Sequence, residues 1–171
     1  DEQCLLDYFG TMAKAVPGFP LYLYNIPINA KNDLVPSFVK KLVNQNPEFI
    51  GVKFTSDSYP GFLDYVETMG EDFCVLMGND SMILPGLVMG AYGGVTANST
   101  VFPEPFVQVY KYFREGDLQK AREAQRFASR IRKVLRSTPY LTVFKKALQW
   151  RGIDVGTTRR PLREMTDQEE R

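Results

Sequence analysis

The chain has 171 residues, 44% hydrophobic and 24% charged, with 21 basic against 20 acidic side chains and a net charge of +1. That is enough for one domain with a real core, and the composition is that of an ordinary globular protein. So close a balance offers no field for steering nucleic acid or an anionic membrane, and no apolar run approaches the ~20 residues of a membrane span. The complete absence of histidine excludes His-based triads and the usual zinc-hydrolase ligand sets. Any acid–base work falls to Lys, Tyr, Cys or carboxylates. The N-terminus "DEQCLLDYFG" does not read as a signal peptide. Two cysteines, Cys4 and Cys74, are too few for a disulfide framework and point to a reducing cytoplasm.

In chain order, residues 1–19 read as a helix feeding a first strand, "PLYLYNIP" (20–27), stopped by Pro27. Residues 33–45 carry Leu34, Phe38, Leu42 and Val43 at helical spacing, with Asp33 as the N-cap. "FIGVKFTS" (49–56) is a second strand and 58–70 a helix closed by Gly70. "FCVLMGND" (73–80) is a third strand, followed by a short helix over 81–90 with Ser81 near its start. "YGGVTANST" (92–100) is the fourth strand, and its helix spans 103–116 with proline near the first turn. Two helices with no strand between them then cover 117–137 and 140–153, and the charged tail begins a last helix at Thr166. Strand–helix alternation of this kind implies parallel strands joined by crossovers.

The organisation expected is therefore α/β, with four βα units and a leading helix over 1–116, a helical extension over 117–171, and one structural domain overall. Four parallel strands leave two unprotected edges, near 21–27 and 92–100, whereas a closed (β/α)8 barrel needs eight strands and typically ~250 residues. The chain supplies half of them.

Strand alternation sets the faces. Ile50, Val52 and Phe54 share one face, suited to packing on helices, and Gly51, Lys53 and Thr55 share the other. Tyr22, Tyr24 and Ile26 alternate with Leu21, Leu23 and Asn25, while Gly78 and Asp80 share a parity at the end of the third strand. Ligands bind at the C-terminal ends of parallel strands, so Tyr24, Lys53, Thr55 and Asp80 are expected to converge at one rim. An amine on an inward face loses hydration, which favours its neutral, nucleophilic form and Schiff-base formation with a carbonyl. A phenol such as Tyr24 then shuttles protons to and from the carbinolamine. The plainer alternatives are that Lys53 snorkels to solvent or pairs with Asp57 or Asp80, that Tyr24 is a packing tyrosine, and that Asp80 caps a helix. Cys74 reads as a small apolar strand residue and Cys4 as an inert helical one.

Taken together, "YNIP" (24–27), "GVKFTS" (51–56), "GND" (78–80) and "GAYGGVTANSTVFPE" (90–104), in this order and spacing, resemble the C-terminal half of the dihydrodipicolinate synthase / N-acetylneuraminate lyase family. "GDLQKAREAQ" and "FKKALQWRGIDVGTTRRPL" in the tail extend the likeness from about Leu6 to Met165. The resemblance implies strands five to eight of a (β/α)8 TIM barrel followed by extra C-terminal helices, a homo-oligomer (a tetramer in the full-length family), and pyruvate lyase or synthase chemistry with no metal and no cofactor. It implies Lys53 as the imine-forming residue and Tyr24 as the proton-relay phenol. The Val95 backbone would hold the pyruvyl group, and Thr55, Gly78 and Asp80 the hydroxylated part of the substrate. Members that make dihydrodipicolinate carry an arginine just after the tyrosine motif, where Asn29 stands here; sialic acid lyases carry Glu and Ser where Ser81 and Ala97 stand. The Gly-Thr-Thr loop of the family's early strands has no counterpart in these residues.

The function expected is thus a Schiff-base lyase or aldolase acting on pyruvate and a 2-keto-3-deoxy sugar acid or related 4-hydroxy-2-oxo acid, incomplete as 171 residues. The alternatives are 4-hydroxy-tetrahydrodipicolinate synthase, in lysine biosynthesis, or N-acetylneuraminate lyase. Of another class is a non-catalytic half-barrel that self-associates or docks to a partner; a flavodoxin-like ligand-binding domain fits the tandem motifs least.

Overall fold

The computed structural model describes residues 1–137 and 140–170; Arg171, the last residue of the expected extension, lies outside the described residues. The chain separates into two compact units, Asp1–Val95 and Thr96–Arg171. This division falls at the end of the sheet, earlier than the expected boundary after residue 116. Among the described residues no helix is long and apolar enough to cross a membrane.

In the first unit α1 (Glu2–Ala15) is capped by Asp1, whose carboxylate accepts from the Cys4 N–H at 2.9 Å. Next come β1 (Leu21–Asn25), the single turn α2 (Pro27–Ala30) and α3 (Pro36–Gln45). The expected N-cap at Asp33 is not used: Pro36 occupies the first helical turn, where its missing N–H costs nothing. The Asp33 carboxylate instead accepts from Asn25 Nδ2 at 2.8 Å. Then follow β2 (Phe49–Phe54), α4 (Tyr59–Met69) and β3 (Cys74–Met77). The Ser58 hydroxyl caps α4 by accepting from the Gly61 N–H at 3.1 Å, and Gly70 ends it at φ 75°. A 3₁₀ turn (Asp80–Met82), α5 (Ile83–Val88) and β4 (Gly93–Gly94) complete the unit.

All three strand pairs are parallel and the sheet order is β1-β2-β3-β4, the sequential neighbourhood of a partial (β/α)8 barrel. One face of the sheet is dry: Leu23, Val52, Phe54, Val75 and Met77 are each at most 3% exposed. Phe38, Val39 and Leu42 of α3 and Phe62 and Tyr65 of α4 are buried too, and each such aliphatic or Phe side chain contributes about 1.5–3 kcal/mol by leaving water.

Two expectations fail locally. Ile50 was assigned to the helix-packing face, yet it is 38% exposed while Phe49 is buried edge-on against Phe9 of α1. The cause is a register shift: Leu21 pairs with Phe49 but Tyr22 pairs with Gly51, so Ile50 is an extra residue that re-phases the strand. The fourth strand was expected over 92–100 and is only Gly93–Gly94. Beyond it Thr96 and Ser99 bond each other's backbones, Ser99 Oγ donating to the Thr96 carbonyl at 2.8 Å, and residues 98–101 coil into a helical turn. Such local side-chain bonds compete with a sheet ladder that two glycines hold weakly.

The second unit is helical: α6 (Asn98–Val101), α7 (Pro103–Arg114), α8 (Leu118–Leu135) and α9 (Tyr140–Trp150). Ala121, Ala124 and Ala128 make a small-residue stripe on α8, which packs along α7. Val101, Leu135, Val143 and Ala147 form a core ringed by Phe102, Ile131, Phe144, Leu148 and Met165. The helix expected at Thr166 is only a turn, in which the Thr166 and Glu169 side chains bond each other's backbone N–H groups.

Candidate active site

The sheet's second face carries the candidate residues in cross-strand rows. Tyr24 of β1 and Lys53 of β2 are register partners, and Lys53 pairs onward with Leu76, which pairs with Gly93. Lys53 Nζ lies 4.0 Å from the centroid of the Tyr24 ring. This contact brings an amine and a phenol together on rigid strands. Tyr24 is 49% exposed and Lys53 partly buried, so both are reachable from the open face.

One residue past the strands the ladder continues. The Thr55 N–H donates to the Asn25 carbonyl at 2.8 Å, the Gly78 N–H to Phe54 at 2.7 Å and the Val95 N–H to Met77 at 3.0 Å. Thr55, Gly78 and Val95 therefore stand at one level at the C-terminal strand ends. A Cβ on residue 78 would fall 1.9 Å from Thr55 Oγ1 and 2.8 Å from the Phe54 carbonyl, so only glycine fits beside the threonine. Thr55 Oγ1 is itself buried and makes no hydrogen bond among the described residues. A buried hydroxyl without a partner is costly, and a ligand oxygen would relieve that cost.

Asp80 is not brought to this open face. It is 2% exposed and begins the 3₁₀ turn, which is capped not by Asp80 but by Asn79, whose Oδ1 accepts from the Ser81 N–H at 3.1 Å. Asn79 Nδ2 also donates to Asp57 Oδ1 at 3.2 Å. This places an exposed amide–carboxylate pair beside the strand ends that the sequence reading did not single out.

A row one step below Lys53 was also missed. Tyr22, Gly51 and Cys74 are register partners across three strands. A Cβ at residue 51 would meet the Tyr22 ring at 2.3 Å and the Cys74 carbonyl at 2.5 Å, so the ring lies over the bare glycine. The neighbouring Cys74, and then desolvation, push the Tyr22 phenol above its ordinary value. Cys74 itself is a free, partly buried cysteine of β3. Shared parity of Tyr22 with Tyr24 was the available signal.

Behind the site, Asn25 is 1% exposed on the helix side and fixes the loop after β1. Its Oδ1 accepts from the Leu34 N–H at 3.2 Å and its Nδ2 donates to Asp33. Burial, with the Asp33 charge nearby, pushes the adjacent Tyr65 phenol far up. Asn29 is exposed in α2, and Lys31 follows in the left-handed conformation (φ 56°) with Nζ donating to the Ile28 carbonyl at 2.7 Å. In the second unit a cavity of about 600 Å³, lined by Leu141, Phe144, Leu148, Val155 and Leu162 among others, holds none of the expected site residues.

Comparison with known proteins follows the same lines. The chain is 34% identical over 98% of its length to a DapA-like lyase of Halobacterium salinarum, of which it covers 54%. It is 31% identical over 88% of its length to a probable 2-dehydro-3-deoxy-D-pentonate aldolase of Escherichia coli, covering 51% of that protein. A 4-hydroxy-tetrahydrodipicolinate synthase of Thermus thermophilus is 30% identical over 95% of the chain, with 54% of the synthase covered. Among solved structures, YagE, a prophage protein of the dihydrodipicolinic acid synthase family from E. coli K12 determined in complex with pyruvate, superposes with a TM-score of 0.89 at 29% identity. The superposition covers 99% of this chain and 58% of YagE. The chain spans about half the length of the curated relatives it matches. The dihydrodipicolinate synthetase family model matches residues 1–171, and the chain belongs to that family.

Proposed function

We propose that this chain carries the Schiff-base centre of a class I lyase or aldolase that makes or breaks a carbon–carbon bond next to a 2-oxo acid. The observation that carries this reading is the Lys53 amine lying 4.0 Å from the Tyr24 ring centroid on paired strands. In the proposed step the neutral Lys53 amine adds to the 2-oxo carbonyl, and the carbinolamine loses water to give an iminium. The iminium accepts the electron pair of the C3–C4 bond as the 4-hydroxyl gives up its proton, releasing an aldehyde and leaving an enamine. Protonation of the enamine carbon and addition of water then free pyruvate and restore the amine. Tyr24 is the group positioned to pass protons to and from the carbinolamine oxygen and the 4-hydroxyl.

A 2-keto-3-deoxy sugar acid or related 4-hydroxy-2-oxo acid is the substrate class proposed. The buried Thr55 hydroxyl beside Gly78 is a hydrogen-bonding group for a hydroxylated chain. The exposed Asn29 supplies no charge for the second carboxylate that a dihydrodipicolinate precursor would present. The relative named as a pentonate aldolase supports the same class. Activity of the whole protein, cytoplasmic location and assembly as a homo-oligomer are part of this proposal.

The test is borohydride reduction in the presence of pyruvate, followed by intact mass and peptide mapping. A reduced pyruvyl adduct on Lys53, absent in Lys53→Ala, is expected. Labelling that persists in Lys53→Ala would sink the proposal. The second reading, a non-catalytic half-barrel that associates through its open sheet, draws on the 48% and 49% exposure of Tyr22 and Tyr24. Folded wild-type protein that acquires no adduct at all would favour it.

A further inference from the structure

The second unit holds a cavity that the proposed chemistry does not use. Its volume of about 600 Å³ lies within the range of small-molecule sites. One wall is α9, from which Leu141, Phe144, Lys145 and Leu148 line the space. At about 100° per residue these four fall within about 100° of one another and cover about 10 Å of helix. Val143 and Ala147, on the other side of α9, are buried in the helical core, which Phe144 and Leu148 only flank.

The opposite wall is the segment 155–162, which contributes Val155, Arg159 and Leu162. Hydrogen bonds to main-chain carbonyls tie this part of the chain to α9. Lys145 Nζ donates to the Val155 carbonyl at 2.7 Å, Gln149 Nε2 to Gly156 at 3.5 Å and Thr142 Oγ1 to Arg163 at 2.7 Å. The walls are thus fixed to each other while the apolar side chains between them do not close the space: Leu141 and Leu162 stay 49% and 46% exposed. Ala97 and Thr100, at the start of α6 and within it, complete the lining with small side chains.

The charged groups of this cavity are cations. Lys145 has spent one of the three N–H donors of its ammonium on Val155. Arg159 is exposed and, among the described residues, has no carboxylate within ion-pair distance. No acid among the described residues lines the space. The acids that flank the segment are engaged with it. Asp154 accepts from the Gly156 N–H at 2.9 Å, and Glu164 from the Thr158 N–H and hydroxyl at 3.0 and 2.9 Å. The wider field has the same sign. Residues 96–171 hold 16 Lys/Arg and 9 Asp/Glu, a net charge of +7, against 5 and 11, a net charge of −6, in residues 1–95.

We infer that this cavity binds a free carboxylic acid with a medium-length apolar chain. Arg159 and Lys145 hold the carboxylate through charge-assisted hydrogen bonds, and the chain lies against the leucines, Phe144 and Val155. An uncharged apolar ligand leaves both cations unmatched, and a small polar acid such as pyruvate leaves the leucines wet.

The test is a titration of the full chain with octanoate, followed by amide chemical shifts in nuclear magnetic resonance, with octanol as the uncharged control. Saturable shifts confined to residues 97–100, 141–149 and 154–163 are expected, with octanol about tenfold weaker, the worth of one charge-assisted pair. R159Q should weaken octanoate by about tenfold and leave octanol unchanged, which also shows that the cavity is intact in the variant. L141Q and L162Q, at exposed positions, should each weaken both ligands by about fivefold. The inference is overturned if octanoate does not saturate by about 10 mM, if its shifts lie outside these segments, or if octanol binds as tightly. It is overturned equally if R159Q or the glutamine variants bind octanoate as the wild type does. Shifts at the same residues on dilution without ligand would assign the cavity to a second copy of the chain and overturn it too. Octanoate has no 2-oxo carbonyl, so none of these outcomes depends on imine formation at Lys53.

Discussion

At the residue scale the site rests on a few side chains held by strands and a few glycines that make room for them. Lys53 and Tyr24 meet because they are register partners, so their separation is set by backbone pairing rather than by flexible loops. Tyr24→Phe keeps the ring beneath Nζ and removes only the hydroxyl. It is expected to retain the trapped adduct on Lys53 while slowing its formation by about 10²-fold or more, read by timed borohydride quenching. Gly51→Ala and Gly78→Ala drive a methyl against, respectively, the Tyr22 ring with the Cys74 carbonyl, and Thr55 with the Phe54 carbonyl. Each should cost about 1–3 kcal/mol in urea unfolding, because backbone atoms on one side of each clash cannot move aside. These glycines were visible in the sequence as members of motifs, but their reason was not: parity places them on a face and cannot say which neighbouring ring fills the gap.

At the element scale, alternation of apolar strands with periodic helices was legible because burial on one face imposes it. Leu23, Val52, Phe54, Val75 and Met77 are the dry face that parity assigns. What was not legible were features decided by competition between local bonds and the sheet. Asp33 looks like an N-cap, yet Asn25 captures its carboxylate and Pro36 starts α3. Asp80 suits a strand-end ligand or a cap, yet Asn79 takes the cap and Asp80 is buried. The C-terminal turn offers a pH prediction. Arg163 holds the Glu169 carboxylate through two bonds of 2.7 Å, and with Thr166 lowers it from the ordinary 4.5 to about 2. The disordered segment takes up a proton near 4.5 while the ordered turn resists until about 2. Stability of the turn is therefore fully present above pH 4.5 and is lost as pH falls toward 2. Faster amide exchange at residues 166–170 on acidification through that window, absent in Glu169→Gln, is the expected result.

At the scale of the whole molecule, composition alone misleads. A net charge of +1 reads as electrostatic neutrality, whereas the two units carry opposite charges of six and seven. The chain is strongly bipolar in sequence. The family was legible because its motifs lie at strand ends, where spacing is rigid. The Asn79–Asp57 pair was not legible, since only folding brings it beside the strand ends. Adding the acidic substituent Asn29→Asp should weaken trapping of any 2-oxo acid with a second distal carboxylate more than trapping of pyruvate, measured by competition.

The bulge at Ile50 has a bearing on how this strand tolerates change in length. Because Phe49 and Gly51 hold the two flanking register positions, residue 50 is slack in the chain, upstream of everything that Lys53 contacts. Deleting Ile50 therefore shortens the approach to β2 but leaves the pairing of Lys53 with Tyr24 in phase. One residue inserted after Gly51 has no such reserve to draw on. It would turn Lys53 toward the oily side of the sheet and bring Val52 out in its place, silencing the amine without touching a single residue of the site.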